Sequence, residues 1–233
     1  MENSLTVKRG LSGNQLKLIA LLAMTCDHVG LALLPQHGWL RIIGRLALPI
    51  FAYMIAEGCH YTKNRARYLS IIFGMGLLCQ LVYWFAMQSL EQCILITFSL
   101  SILLIYALDA ALSRPCVKQY TFTLFTFAVV GFVCLGLPQL LPKTDFTIDY
   151  SIYGVLLPVL VFIGRSKHQK LLLLMIGLIA LAIQSFAEQW YALCALPLLM
   201  LYNGQRGKAT IKALFYVYFP LHLAVIYLVD QLL

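Results

Sequence analysis

Apolar residues run through this chain in nine blocks separated by short polar connections, each block close to the ~20 residues a helix needs to cross the hydrocarbon core of a bilayer. Their approximate limits are Asn14 to Leu34, Leu40 to His60, Tyr68 to Met87, Cys93 to Leu112, Tyr120 to Leu141, Tyr150 to Gly164, Leu171 to Phe186, Trp190 to Tyr202 and Leu214 to Leu232. The sixth and eighth are the shortest, and a tilted or re-entrant path suits them as well as a full crossing. The connections leave no room for a soluble domain, and no internal repeat or low-complexity tract interrupts the pattern. The expectation is an all-α fold, a polytopic membrane helix bundle of about nine transmembrane segments forming one domain over residues 1–233.

Composition agrees with the pattern. With 61% hydrophobic and 11% charged residues and a mean hydropathy of +0.85, the chain has too little polar surface to cover a soluble globule. The polar stretch from Met1 to Gly13 and the length of the first block argue against a cleaved signal peptide. The net charge of +8 would suit nucleic acid, but the cations sit in short loops at alternating boundaries, so a nucleic-acid partner is not expected and membrane lipids are. Seven cysteines, at 26, 59, 79, 93, 116, 134 and 194, form no CxxC pair and read as small buried hydrophobes. The histidines, at 28, 37, 60, 168 and 222, lack ligand spacing, so no metal is expected.

Alternate connections carry Lys8, Arg9 and Lys17; Lys63, Arg65 and Arg67; Arg114 and Lys118; Arg165, Lys167 and Lys170; and Arg206, Lys208 and Lys212. The intervening ones carry Glu91, Lys143, Asp145, Asp149 and Glu188. The positive-inside rule puts the first set, fourteen of the seventeen Lys and Arg residues, in the cytoplasm, with the N-terminus inside and the C-terminus outside. Only Arg41 and Arg45 stand apart.

Those two belong to a group of ionisable residues at membrane depth, where charge is costly and is kept mainly for function. Asp27 and His28 fall in the outer half of the first helix. On the second, Arg41, Arg45, Pro49, Tyr53 and Glu57 recur every fourth residue and form a stripe on one face, with His60 near its lower end. Pro49 frees the carbonyl of Arg45, so a kink is expected there. Asn14, Lys17, Thr25 and His28 share a face of the first helix, while Asp27 points about 100 degrees away from His28. Asp27 is therefore expected to pair with Arg41 or Arg45 rather than with its neighbour. Such a pair can simply fix helix packing. His28, able to pass a proton through either ring nitrogen, suits catalysis better than packing. His222, beyond a kink-forming Pro220, suits either.

The strings KLIALLAMTCDHVG, RIIGRLALPIFAYMIAEG with YTKNRARYL, DYSIYGVLLPVL, LYNGQRG and FPLHL resemble, in order and over nearly the whole chain, the TraX family of conjugation-associated membrane proteins, whose prototype acetylates the N-terminus of F-type pilin. The resemblance implies an acetyl-CoA-dependent N-acetyltransferase of the bacterial inner (cytoplasmic) membrane, acting on a peptide amine such as a pilin N-terminus or on another envelope amine. It falls on Asp27, His28, Arg41, Gly44, Arg45, Pro49, Glu57, Gly58, Thr62, Asn64, Pro220 and His222, and departs at Ser70, where many members are expected to carry a basic residue. The expected catalytic residues are His28, Asp27 and His222, with His28 as general base and Asp27 orienting the cations. The expected acetyl-CoA contacts are Arg45, Arg41, Tyr53 and Glu57 along the stripe, and Lys63, Asn64, Arg65 and Arg67 at its phosphates. A proton-coupled transporter, or a non-catalytic pilus or conjugation assembly protein, would need similar buried charges and remains a competing expectation.

Overall fold

Ser12 starts the first helix: its hydroxyl accepts from Gln15 N at 3.4 Å while the Gln15 side chain accepts from Ser12 N at 2.8 Å, a reciprocal cap. In this computed structural model, which describes residues 9–185, 187–207 and 212–232, α1 then runs over Gly13–Ala32. Lys8 and Lys208, two of the cytoplasmic charges, lie outside the described residues. The second block forms two helices, α2 (Gly38–Gly44) and α3 (Ala47–Tyr61), broken at Arg45 and Leu46 where Pro49 withholds the amide that the Arg45 carbonyl would accept. Asn64 caps α4 (Arg65–Met87) by accepting from Arg67 N at 2.9 Å, and Gln88, at φ +53°, turns the chain out of it.

Next come α5 (Ile94–Ser113) and α6 (Val117–Gly131), which continues through a π-helical turn at Phe132–Gly136 into the short α7 (Leu137–Leu140). A connection over residues 141–150 leads to α8 (Ser151–Ile163), and Ser166 with Gln169 repeats the reciprocal cap at the start of α9 (Lys167–Gln184). A 3-10 stretch, Ala187–Cys194, and α10 (Ala195–Met200) bring the chain back, and α11 (Lys212–Asp230) ends it.

Six helices are long and apolar enough to cross a membrane: Gly13–Ala32, Gly38–Tyr61, Arg65–Met87, Ile94–Ser113, Val117–Leu140 and Lys167–Gln184; Ser151–Ile163 and Val217–Asp230 are shorter apolar helices. The protein is a membrane protein, and no strand forms among the described residues. The eighth apolar block is not one helix: its first part is 3-10 and only the six residues of α10 are α-helical.

Two helices form the centre. Twelve of the fifteen residues of α3 are buried, as expected of a helix apolar on all sides, and it packs on α1, α5 and α8. α5 packs on α4, α6 and α8, and its hydroxyls stay inside by bonding to carbonyls: Ser101 Oγ donates to Thr97 O and Val155 O at 3.0 and 2.8 Å. By contrast, Val130 is the one buried residue of α6, and Phe122, Leu124 and Phe125 stand exposed where lipid would cover them.

The bundle has two polar ends. At one, Leu11 pairs with Tyr202 in a short parallel bridge, Gly13 N donates to Gln205 O at 2.8 Å, and Lys167 Nζ donates to Tyr202 O at 2.8 Å. At the other, Gln92 N donates to Thr147 O at 2.8 Å and Leu90 N to Asp145 Oδ1 at 3.0 Å, tying the 88–93 and 141–150 connections together. Because α8 has 13 residues, about 20 Å of helix, the 141–150 connection dips into the bundle to meet it. That descent carries Asp149 and Tyr150 inward.

Candidate active site

His28 and His222 meet at the centre. Each lies one turn after a carbonyl that its own ring reaches: His28 Nδ1 is 3.0 Å from Met24 O, and His222 Nδ1 is 2.9 Å from Tyr218 O. His222 Nε2 is 3.2 Å from His28 Nδ1. A carbonyl can only accept, so with both rings neutral each Nδ1 carries the proton and His222 Nε2 accepts from His28. The lone pair of His28 then sits on Nε2, where the Tyr83 hydroxyl reaches it at 3.4 Å. Thr25, on the same face of α1, bonds Tyr218 of α11 at 2.5 Å, so this helix pair is also fastened one turn before the histidines.

Beside them lies the charge cluster. Arg41 Nη1 donates to Asp27 Oδ2 at 2.7 Å, and Arg45 Nη2 stands 4.0 Å from Asp27 Oδ1. Asp27 thus pairs with the cations of α2 and not with its neighbour, as the helix geometry predicts. Arg45 Nη1 also donates to Tyr150 Oη at 3.1 Å and to Gln189 Oε1 at 3.4 Å, which ties α2 to α8 and to the 3-10 stretch. Asp27 Oδ1 and Arg45 Nε are buried with no hydrogen-bond partner among the described residues.

Three cavities converge here. The central one, about 80 Å³, is lined by Asp27, His28, Tyr83, Asp149, Tyr150 and His222 among others. A larger one, about 450 Å³, meets it at Phe51, Leu95 and Phe219, and runs past Met54, Ile55 and Glu57 to Lys17, Thr62, Gly204 and Arg206 at the first polar end. A third, about 100 Å³, shares His28, Tyr83 and Leu223 with the centre and runs between α1, α4 and α11 to Asp230 at the opposite end.

Some expected contacts lie elsewhere. Tyr53, Arg41 and Arg45 line none of these cavities: the helix face that fronts the large one is Phe51, Met54, Ile55 and Gly58, while Tyr53 is buried edge-on against Tyr202. The stripe residues are used in pairing instead: Arg41 and Arg45 turn to Asp27 of α1, and Glu57 is paired with Lys170 of α9 at 2.5 Å. Lys63, Asn64, Arg65 and Arg67 are exposed outside the large cavity. Arg65 is paired with Asp109 and lies over the Tyr106 ring, and Asn64 is used as a helix cap. The cations lining the cavity are Lys17 and Arg206, because the chain through Gly204 and Gly207, both at positive φ, folds back over the start of α1.

Sequence reasoning missed Tyr83, Tyr150, Gln189 and Asp149. Asp149 entered only as an outer-loop charge, although DYSIYG is among the strings that carry the family resemblance. Its backbone is held by Gln92 and by Thr97 Oγ1, which donates to Asp149 O at 2.9 Å, yet no group among the described residues donates to its carboxylate.

Residues 12–230 match the family model described as TraX protein. A probable fimbrial assembly protein FimC, serogroup H1, of Dichelobacter nodosus is 27% identical over 92% of this chain and 94% of its own length. An uncharacterized protein RP591 of Rickettsia prowazekii (strain Madrid E) is 31% identical over 66% of this chain and 56% of its own. No solved structure matches the chain.

Proposed function

The chain belongs to the TraX family, and from that premise we propose that it is an integral acetyltransferase of a bacterial inner membrane, passing the acetyl group of cytoplasmic acetyl-CoA to an amine acceptor on the far side. The fimbrial-assembly name of the Dichelobacter relative favours a pilus-type peptide amine as that acceptor. One observation carries the reading: an imidazole lone pair, on His28 Nε2, stands where cavities from opposite ends of the bundle meet.

The chain crosses nine times, the return over 187–202 included, with the end that gathers Lys17, Lys167, Lys170 and Arg206 in the cytoplasm. Acetyl-CoA enters the large cavity there, its phosphates beside Lys17 and Arg206, and its thioester passes the Phe51, Leu95 and Phe219 neck. The acceptor nitrogen attacks the thioester carbonyl, the carbon–sulfur bond breaks, and the proton lost by nitrogen goes to His28 Nε2. Its Nδ1 proton then moves toward His222 Nε2, so the new charge is shared by two rings. Tyr83 Oη, released from His28, donates to the carbonyl oxygen as it gains charge. Asp27 holds Arg41 and Arg45 beside this centre and offsets part of their charge.

Labelled acetyl-CoA supplied with peptide and sugar amines to the purified protein in nanodiscs should yield labelled acceptor, and His28→Ala should reduce the rate by ~10²-fold or more while the protein still inserts. Equal rates in the two proteins would remove His28 from the reaction. Proton-driven solute uptake without acetyl-CoA turnover would favour transport through the same cavities.

A further inference from the structure

An amine acceptor near neutral pH arrives as an ammonium ion, because a peptide α-amino group has a pKa of about 7.7–8.0 and a lysine one of about 10.4. To become an amide it must lose two protons: one before it can attack, since the ammonium has no lone pair, and one afterwards. In the mechanism above His28 takes only the second. A hydroxyl acceptor would need one base; an amine needs two.

We propose that Asp149 is the second base: its carboxylate pairs with the acceptor ammonium in the central cavity and takes the first proton, delivering a neutral amine to the thioester. The inference rests on the acetyltransferase reading and names how its amine is recognised. Four observations support it. Asp149 lines the same cavity of about 80 Å³ as His28 and His222, so a nitrogen lodged there lies close to both bases. Its carboxylate accepts no hydrogen bond from any described residue, although its backbone is fixed by Gln92 and Thr97. It comes from the 141–150 connection, at the end of the bundle opposite Lys17 and Arg206, so it reaches the centre from the acceptor's side. Finally, burial, with Glu91, Cys93 and Asp27 nearby and Arg45 opposing them, raises its carboxyl above the usual carboxylate range and makes it a stronger base than an exposed aspartate. Tyr83 and Tyr150 complete the groups that face it.

A carboxyl raised in this direction takes a proton from a peptide α-ammonium more readily than an ordinary carboxylate near ~3.9 would. The protons balance. The ammonium gives one to Asp149 and, after the carbon–nitrogen bond forms, one to His28; coenzyme A leaves as a thiolate and recovers one of them. One proton is released per turnover. A lysine ammonium would surrender its proton to Asp149 more than a hundredfold less readily than an α-amine, so the site selects weakly basic amines.

The test compares wild type, Asp149→Asn and Asp149→Glu in nanodiscs, measuring acetyl transfer to glycinamide from pH 6.5 to 9.5 and acetyl-CoA binding separately. Asp149→Asn should lose at least tenfold in kcat/KM at pH 7 and recover towards wild type by pH 9.5, where the acceptor is already neutral; Asp149→Glu should retain most of the rate at pH 7. A loss of the same factor at every pH would mark Asp149 as merely structural and overturn the proposal, as would an Asp149→Asn protein with unchanged kcat/KM. If wild type binds acetyl-CoA but transfers only to hydroxyls, the amine inference falls and the acyltransferase reading stands; if it neither binds nor consumes acetyl-CoA, both fall.

Discussion

Glu57 shows how one residue of the polar stripe can be structural while its neighbours surround chemistry. Its side chain is 9% exposed and its partner Lys170 is 15% exposed, and Tyr202 Oη adds a hydrogen bond at 3.5 Å. Removing one member of such a pair leaves the other charged, buried and unsatisfied, so Lys170→Met should lower stability by about 3–5 kcal/mol. Adding Glu57→Gln, which leaves no stranded charge, should recover most of that loss. Thermal unfolding of the single and double variants in detergent decides it: a single variant as stable as wild type would mean that water already reaches the pair. The cysteines make a complementary case. Cys59, Cys79, Cys93 and Cys134 are buried and free, as small apolar residues would be, whereas Cys116 and Cys194 are exposed and do not follow that expectation.

At the scale of elements, the site depends on how closely α1 and α2 approach. Gly30 faces Leu40, and Gly44 lies against the Asp27 side chain: a Cβ at Gly44 would fall 2.6 Å from Asp27 Cγ. Small residues at such crossings let helices touch through their backbones, and here they also set where Asp27 meets Arg41. Gly44→Ala should therefore cost about 1–3 kcal/mol and lower the transfer rate by displacing Asp27. Gly74→Ala is the control, because nothing lies within 4 Å of the added methyl group, and a helix-interior glycine gains about 0.5–1 kcal/mol on becoming alanine. Equal stabilities for the two variants would mean that the α1–α2 contact gives way without cost. The break at Arg45 and Leu46 was legible from Pro49, since a missing amide is a local property. The positive φ angles of Tyr150 and Ser151 were not, because they arise where the 141–150 connection descends to a short helix.

For the whole molecule, the arrangement that matters is a central cavity at His28 that joins a second cavity at His28 itself and the large one at Phe51, Leu95 and Phe219. Phe51 and Phe219, with ring centroids 5.4 Å apart, stand where the large cavity joins the centre. Phe51→Trp should narrow that neck, reducing acetyl transfer at least tenfold while acetyl-CoA still binds through the outer part of the cavity; full transfer in this variant would mean that the acetyl group reaches His28 by another way. The sequence alone determined the membrane class, the all-helical fold, the membership of the family, and the pairing of Asp27 with an arginine of the next helix, because apolar period, helix angle and the cost of buried charge are local properties. It also brought His28 and His222 forward one at a time. Only tertiary structure decided that the two rings touch, that Tyr53 and Arg45 face away from the cavities, that Lys17 and Arg206 rather than Lys63, Arg65 and Arg67 line the large one, and that Asp149 reaches the centre from a loop. The physical reason is that helix periodicity fixes which residues share a face, while which face meets which depends on contacts between segments as far apart in sequence as α1 and α11.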